Sequence, residues 1–255
     1  MIRIARAPEP AGLARVRNDR LAAAREAIAS GTKIDFTEYD IVKPDLAAMQ
    51  HNKCCYCEKR EEQAKYRDVE HYRPKSLHWW LAWTWENLLF ACIDCNREHK
   101  RDQFPQEPSS APLVAEQAPP GGERPLVIDP PAPSIEPAMD ISFLRDRIHG
   151  NERWVPRGTS ARGRKTIEVC GLDRPNLLDL YADHVNHRVR PKLAPFFAAR
   201  DERDAQAAFK AWDRARRGLL APPQPFRALS YDALKVLVPA ADRERYHLEL
   251  TPPAP

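Results

Sequence analysis

The chain has 255 residues, 43% of them hydrophobic and 30% charged, with a formal net charge of +4. That suffices for one large domain or two small ones with a real core. No stretch approaches the roughly 18 continuous apolar residues of a membrane span. The start, Met1-Ile2-Arg3-Ile4-Ala5-Arg6, carries no apolar signal run, so a cytoplasmic location is expected. In that compartment the six cysteines point to metal binding or free thiols rather than disulfides. The mild basicity permits nucleic-acid binding without demanding it.

In chain order, residues 11–30 show helical apolar spacing that stops at Gly31. Pro44 suits the first turn of a second short helix, to Gln50. These make a helical N-terminal extension, 1–50. Residues 51–105 form a compact, motif-rich module. From 106 to 140 nine of the 25 prolines occur, which predicts a linker, pinned by a short strand Leu126-Val127-Ile128. Residues 141–255 read as mostly helical. Ser160 caps a helix to about Val169, closed by Gly171, and Asp173 caps the next. Pro191 and Pro195 break that run. An amphipathic helix from about Phe197 to Arg217 follows, with Phe209 and Trp212 on its apolar side. Ser230 caps a last short helix. His184 and His187 are expected on helix surfaces.

The chemistry lies in 51–105. Cys54 and Cys57 form one C-x-x-C pair, Cys92 and Cys95 a second. Two such knuckles supply four thiolates for a closed tetrahedral zinc site, whose binding energy helps a small module fold. Cys55 is the spare thiol.

Between the knuckles lies Asp68-Val69-Glu70-His71-Tyr72-Arg73-Pro74-Lys75, then Trp85-Glu86-Asn87-Leu88-Leu89. His71, at a strand end, is a candidate general base for water attacking phosphorus. Glu70 and Asn96 are candidate oxygen ligands of a divalent catalytic ion, Mg or Mn first. Adjacent strand residues point oppositely, so a break at Glu70-His71 is expected if both serve one site. Asn87, on the return strand, is expected to orient His71. His99, three residues after Asn96, is a further ligand candidate or an exposed side chain. Arg73, Lys75 and Lys100, with Arg97 and Arg101, are candidates for gripping phosphates. Trp79, Trp80, Trp83 and Trp85 are expected to fill the core.

These residues resemble the HNH (His-Asn-His) endonuclease superfamily with its ββα-metal (His-Me finger) fold. Glu70-His71 corresponds to the acidic-His element, Asn87 to the central Asn and Asn96 to the last element. The knuckle Cys55-Tyr56-Cys57-Glu58, Glu70 to Lys75, Trp85 to Leu89 and Cys92-x-x-Cys95-Asn96 are similar to the HNH proteins of retron and Septu anti-phage systems, the PtuB type. So are Phe104-Pro105, Leu126 to Pro130, Phe143 to Gly150 and Gly171-Leu172-Asp173-Arg174. The resemblance spans about 35–190 and is looser in its second half.

It implies an α+β protein in which a zinc-stabilised ββα-metal nuclease module is embedded in a mostly helical chain. It further implies an effector nuclease acting on DNA or RNA beside an ABC/SMC-like (PtuA-like) ATPase. The rival reading is a zinc-ribbon-like module that binds nucleic acid or a partner without turnover. A second rival is a scaffold for the ATPase.

Overall fold

The structure is a computed structural model and describes every residue except His149. The described residues divide into two compact units. One comprises Ile4–Ile135 with Val169–Gly171; the other comprises Met1–Arg3, Glu136–Glu168 and Leu172–Pro255.

The first unit is built on an antiparallel hairpin. Strand β1 (Arg67–His71) pairs with β2 (Leu88–Cys92), Arg67 opposite Cys92 and His71 opposite Leu88. A wide-turned helix, Asp94–Lys100, follows β2 directly, and its last turn closes with Arg101 N–H donating to Asn96 O at 2.7 Å. The order is thus strand, strand, helix.

Helices α1 (Ala11–Ala29) and α2 (Lys43–Met49) match the predicted pair. They are no separate extension. Leu13 and Ala24 of α1 and Leu46 and Ala47 of α2 share one buried cluster with Val69, Trp83, Trp85, Leu88 and Phe90 of the hairpin region. The tryptophans do fill the core. Gln50 extends this join: its side chain donates to Phe90 O at 2.8 Å and accepts from Phe90 N–H at 2.8 Å, as a neighbouring strand would.

The Pro-rich stretch runs as a strap over the same unit as far as Ile135. Leu113 packs with Trp80 and Leu81, and Val127 and Ile128 are fully buried. Leu126-Val127-Ile128 is not a strand. Val127 O accepts the Tyr72 hydroxyl at 2.8 Å instead, so side-chain anchors replace a ladder that prolines interrupt.

In the second unit, the short helix α3 (Pro137–Asp140) leads into a hairpin of β3 (Ile141–Ile148) and β4 (Asn151–Gly158). This hairpin stands in the part of the chain, 141–255, expected to be mostly helical. Ile141, Phe143, Trp154 and Pro156 alternate as buried residues, a strand signal of period two. The remainder is helical as expected: α4 (Ala161–Cys170), α5 (Pro175–His184), α6 (Arg190–Asp201), α7 (Ala205–Leu220), α8 (Arg227–Leu237) and α9 (Ala240–Arg245).

Several boundaries differ from the sequence reading. Pro191 and Pro195 do not break the run, because a wide turn at Val185–Val189 accommodates the first and the second lies inside α6. The predicted helix 197–217 is two helices, since Asp204 caps a new start by accepting Ala207 N–H at 2.9 Å. Trp212 is buried there but Phe209 is exposed. Ser230 lies inside α8 and bonds the buried His184 ring at 2.8 Å, so neither is a surface residue.

Candidate metal centre and active-site cleft

The first C-x-x-C forms a tight turn: Glu58 N–H donates to Cys54 O at 3.0 Å, and Glu58 takes the left-handed conformation at φ 60°. Cys55 N–H donates to Phe90 O at 2.9 Å, which docks this turn on β2. Cys92 ends β2, and Cys95 lies in the first turn of the Asp94–Lys100 helix. The sulfurs of Cys54, Cys57, Cys92 and Cys95 all lie within 4.8 Å of one another and are buried.

A tetrahedral zinc with sulfurs at about 2.3 Å requires neighbouring sulfurs about 3.8 Å apart. Cys57 Sγ and Cys92 Sγ are 3.8 Å apart. Burial pushes the Cys57 thiol well up, and contacts among the sulfurs push Cys95 well up. Burial also acts on Cys54, yet hydrogen bonds from the surrounding thiols bring it well below its ordinary value. Four crowded, buried sulfurs favour a bound dication that makes them all thiolates. The four cysteines therefore fit a metal such as zinc.

Beside this centre lies an open cleft of about 360 Å³. It is lined by Tyr39, Asp68, Val69, Glu70, His71, Pro74, Lys75, Asn96, Arg97, Arg101 and Asp102. Six of the expected residues meet there: Glu70, His71, Lys75, Asn96, Arg97 and Arg101.

His71 is buried, and its Nε2 lies 3.0 Å from Ala82 O. A carbonyl only accepts, so Nε2 carries the proton and Nδ1 keeps its lone pair. Burial, with Lys75 and Lys100 nearby, pushes the imidazole down to about 3. The ring is uncharged at neutral pH.

No break in β1 is needed to bring Glu70 to this wall, since both Glu70 and His71 line the cleft. Glu70 is nonetheless occupied. Its Oε1 accepts Lys100 Nζ at 2.6 Å and the Tyr56 hydroxyl at 3.0 Å. Burial pushes its carboxyl up, against the pull of Lys100 and Tyr56.

Asp68, which no motif singles out, is a buried carboxylate on the cleft wall. It accepts Asn96 Nδ2 at 2.8 Å and both arms of Arg97, at 2.7 and 3.0 Å. With the amide nitrogen so directed, Asn96 Oδ1 is the amide's other face. The signal for Asp68 was its i, i+2 relation to Glu70 on one strand.

Three expected contacts resolve differently. Lys100 is fully buried, donating to Glu70 and to His71 O at 3.0 Å, so it is a structural cation and not a phosphate grip. Arg73 is likewise buried, its Nε 2.7 Å from Glu123 of the strap, with His78 3.3 Å from the same carboxylate. His99 is absent from the cleft lining. It packs on Gly171, where an added Cβ would fall 2.3 Å from Nδ1.

The Asn87 amide directs its hydrogen bonds to the loop backbone and not to the His71 ring. Its Oδ1 accepts Arg73 N–H at 2.8 Å, and its Nδ2 donates to Arg73 O at 3.0 Å and Leu81 O at 3.1 Å. It ties both ends of the loop whose Ala82 carbonyl orients His71.

No family model matches the chain. It is 31% identical over 202 residues to the Septu protein PtuB of Bacillus mycoides (strain KBAB4), across 70% of this chain and 65% of that protein. It is 34% identical over 115 residues to the Septu protein PtuB of Bacillus thuringiensis, across 45% of this chain and 43% of that protein. The chain is similar to Septu protein PtuB. The matched part spans just under two thirds of the first PtuB relative and under half of the second. The 202-residue match is longer than either the 51–105 module or the 115 residues after 140, so the likeness reaches beyond the cysteine motifs.

Proposed function

We propose that the chain is a metal-dependent endonuclease of the HNH type that hydrolyses phosphodiester bonds of nucleic acid. We place it, by its likeness to Septu PtuB, as an effector of anti-phage defence that works with an ABC/SMC-like (PtuA-like) ATPase. One observation carries the enzymatic reading. An uncharged His71, with its Nδ1 lone pair held free by the Ala82 bond, lines a cleft that also contains oxygen donors and cations.

Asp68, Glu70 and Asn96 are donors of the kind hard divalent cations take, which fits Mg or Mn. Such a cation, when bound, stabilises charge on the phosphorane and on the leaving oxygen. His71 Nδ1 takes a proton from water, and the water oxygen forms a bond to phosphorus. The P–O bond to the leaving group then breaks, and that oxygen is reprotonated from solvent. Lys75 and Arg101 hold the flanking phosphates. Negative charge from substrate in the cleft raises the proton affinity of His71, against the two lysines that depress it.

The test is single-turnover cleavage of single- and double-stranded DNA and RNA by zinc-loaded protein, with Mg or Mn, with and without the ATPase. Cleavage by wild type and none by His71→Ala is expected. Turnover by His71→Ala at the wild-type rate would remove the general base.

A second reading has its own support. Lys100 ties up the carboxylate next to His71, as suits a zinc-ribbon-like module that binds nucleic acid or a partner without turnover. Tight binding with no cleavage under any of these conditions would favour it.

A further inference from the structure

Tyr39 comes from the N-terminal part of the chain, thirty-two residues before His71, yet its ring stands against the His71 imidazole. The centroids are 4.6 Å apart and the planes meet at 74°, an edge-to-face contact. Resting on the nuclease reading above, we propose that Tyr39 is a positioning residue for His71, and that residues 36–42 are part of the active site.

Tyr39 is fixed from several directions. The Lys75 ammonium lies over its ring at 5.1 Å and over the Phe36 ring at 5.8 Å. Phe36 stacks on Trp83 at 5.8 Å, and Trp83 Nε1 donates to Thr37 O at 2.8 Å. Val42, at the end of the same turn, is fully buried. Glu38, just before Tyr39, has φ 63° and ion-pairs with Arg20 of α1. A non-glycine residue held in that conformation is maintained by its surroundings, and such positions concentrate where geometry matters.

The chemical consequence concerns the ring's freedom. The hydrogen bond of the His71 ring is at Nε2, and that bond alone leaves the imidazole free to rock about the line to Ala82 O. The Tyr39 edge blocks that motion, so Nδ1 keeps one aim into the cleft. Phe36, Trp83 and the turn bring this wall from the core; Lys75 brings it from the loop after β1.

Burial pushes the Tyr39 hydroxyl up, with Asp68 and Asp40 adding to it. It stays a neutral phenol. The positioning role requires the ring and not the hydroxyl, and that distinction makes the proposal testable.

The experiment uses full-length, zinc-loaded protein with Tyr39→Phe and Tyr39→Leu. Three quantities are read: the single-turnover cleavage rate, nucleic-acid affinity without divalent cation, and the His71 ring-proton resonance by NMR. Tyr39→Phe is expected to cut at the wild-type rate with an unmoved resonance. Tyr39→Leu is expected to cut on the order of tenfold to a hundredfold more slowly, with affinity unchanged to about twofold. Its His71 resonance shifts, because the ring current is gone. A loss of rate in Tyr39→Phe would assign the role to the hydroxyl and overturn the proposal. So would a Tyr39→Leu protein that cuts normally, or one whose slower cutting follows entirely from weaker binding. If wild type cleaves nothing, the nuclease reading fails by itself. The resonance then decides the ring contact alone: a shift in Leu and not in Phe supports it, and no shift in either overturns it.

Discussion

Lys100 sets its ammonium 2.6 Å from a carboxylate oxygen of Glu70, with both side chains closed to solvent. Lys100 ends the helix that follows β2, and Glu70 lies near the end of β1, so the pair bolts the helix to the hairpin. Removing one partner leaves a buried charge unpaired, which costs about 3–5 kcal/mol. Lys100→Met is therefore expected to lower the urea midpoint strongly. The double variant Glu70→Gln with Lys100→Met is expected to recover part of that loss, since no lone charge remains. Equal stability of the single and double variants would show that the two side chains do not interact.

The metal centre sets the next expectation. Purified protein is expected to hold about one zinc per chain, as four thiolates close a tetrahedral site. Cys57→Ser or Cys92→Ser is expected to lose zinc and soluble yield, because binding energy at such a site is folding energy. Cys170→Ser is expected to be mild. Elemental analysis of folded wild type finding no zinc would refute the assignment.

Much of this site was readable from spacing, and the rest was not for a definite reason. The two C-x-x-C pairs, Glu70-His71 and Asn96 are local signals, and the fold brings them together. Lys100 and Arg73 read as exposed cations because their partners lie elsewhere, Glu70 thirty positions away and Glu123 fifty. A linear pattern shows charge but not its counterion. Tyr39 was invisible for the same reason, lying outside the motif block. The β3–β4 hairpin is hard to read from sequence because its period-two apolar residues, Ile141, Phe143, Trp154 and Pro156, are few and charged residues lie between them. The Pro-rich stretch was read as a spacer by composition alone. Its buried Glu123, Val127 and Ile128 show that prolines also build a fixed strap.

Asn87 yields a prediction about indirect control. Its amide satisfies one N–H and two carbonyls of the loop that carries Ala82 toward His71. Asn87→Ala leaves those buried groups unpaired, at about 1–3 kcal/mol for each that finds no water. The expected result is a lower melting temperature together with slower cleavage at unchanged zinc content. Asn87→Asp sets a buried carboxylate against both carbonyls, so it is expected to be at least as damaging as Asn87→Ala. Full activity in Asn87→Ala would show that His71 is oriented without this loop.

The last prediction concerns pH. Asp129 follows the buried Val127 and Ile128 of the strap, and its Oδ1 is buried with no hydrogen-bond partner. Burial pushes its carboxyl from 3.8 up to about 6, only partly offset by Arg6 and Arg73. The folded state thus binds this proton more tightly than the unfolded chain. Between about 4 and 6 the folded protein holds the proton and the unfolded chain releases it, so this group's contribution to stability falls as pH rises through that window. Above about 6 the folded state also ionises, and a full penalty of up to about 3 kcal/mol remains. Asp129→Asn removes the charge. Its stability gain over wild type is expected to be largest at pH 7.5 and to shrink as pH falls from 6 toward 4. Urea denaturation of both proteins at four or five pH values reads this directly. A pH-independent difference between them would mean that Asp129 binds its proton equally tightly in the folded and unfolded chain, and a loss of stability at pH 7.5 would mean that its negative charge is satisfied by Arg6 after all.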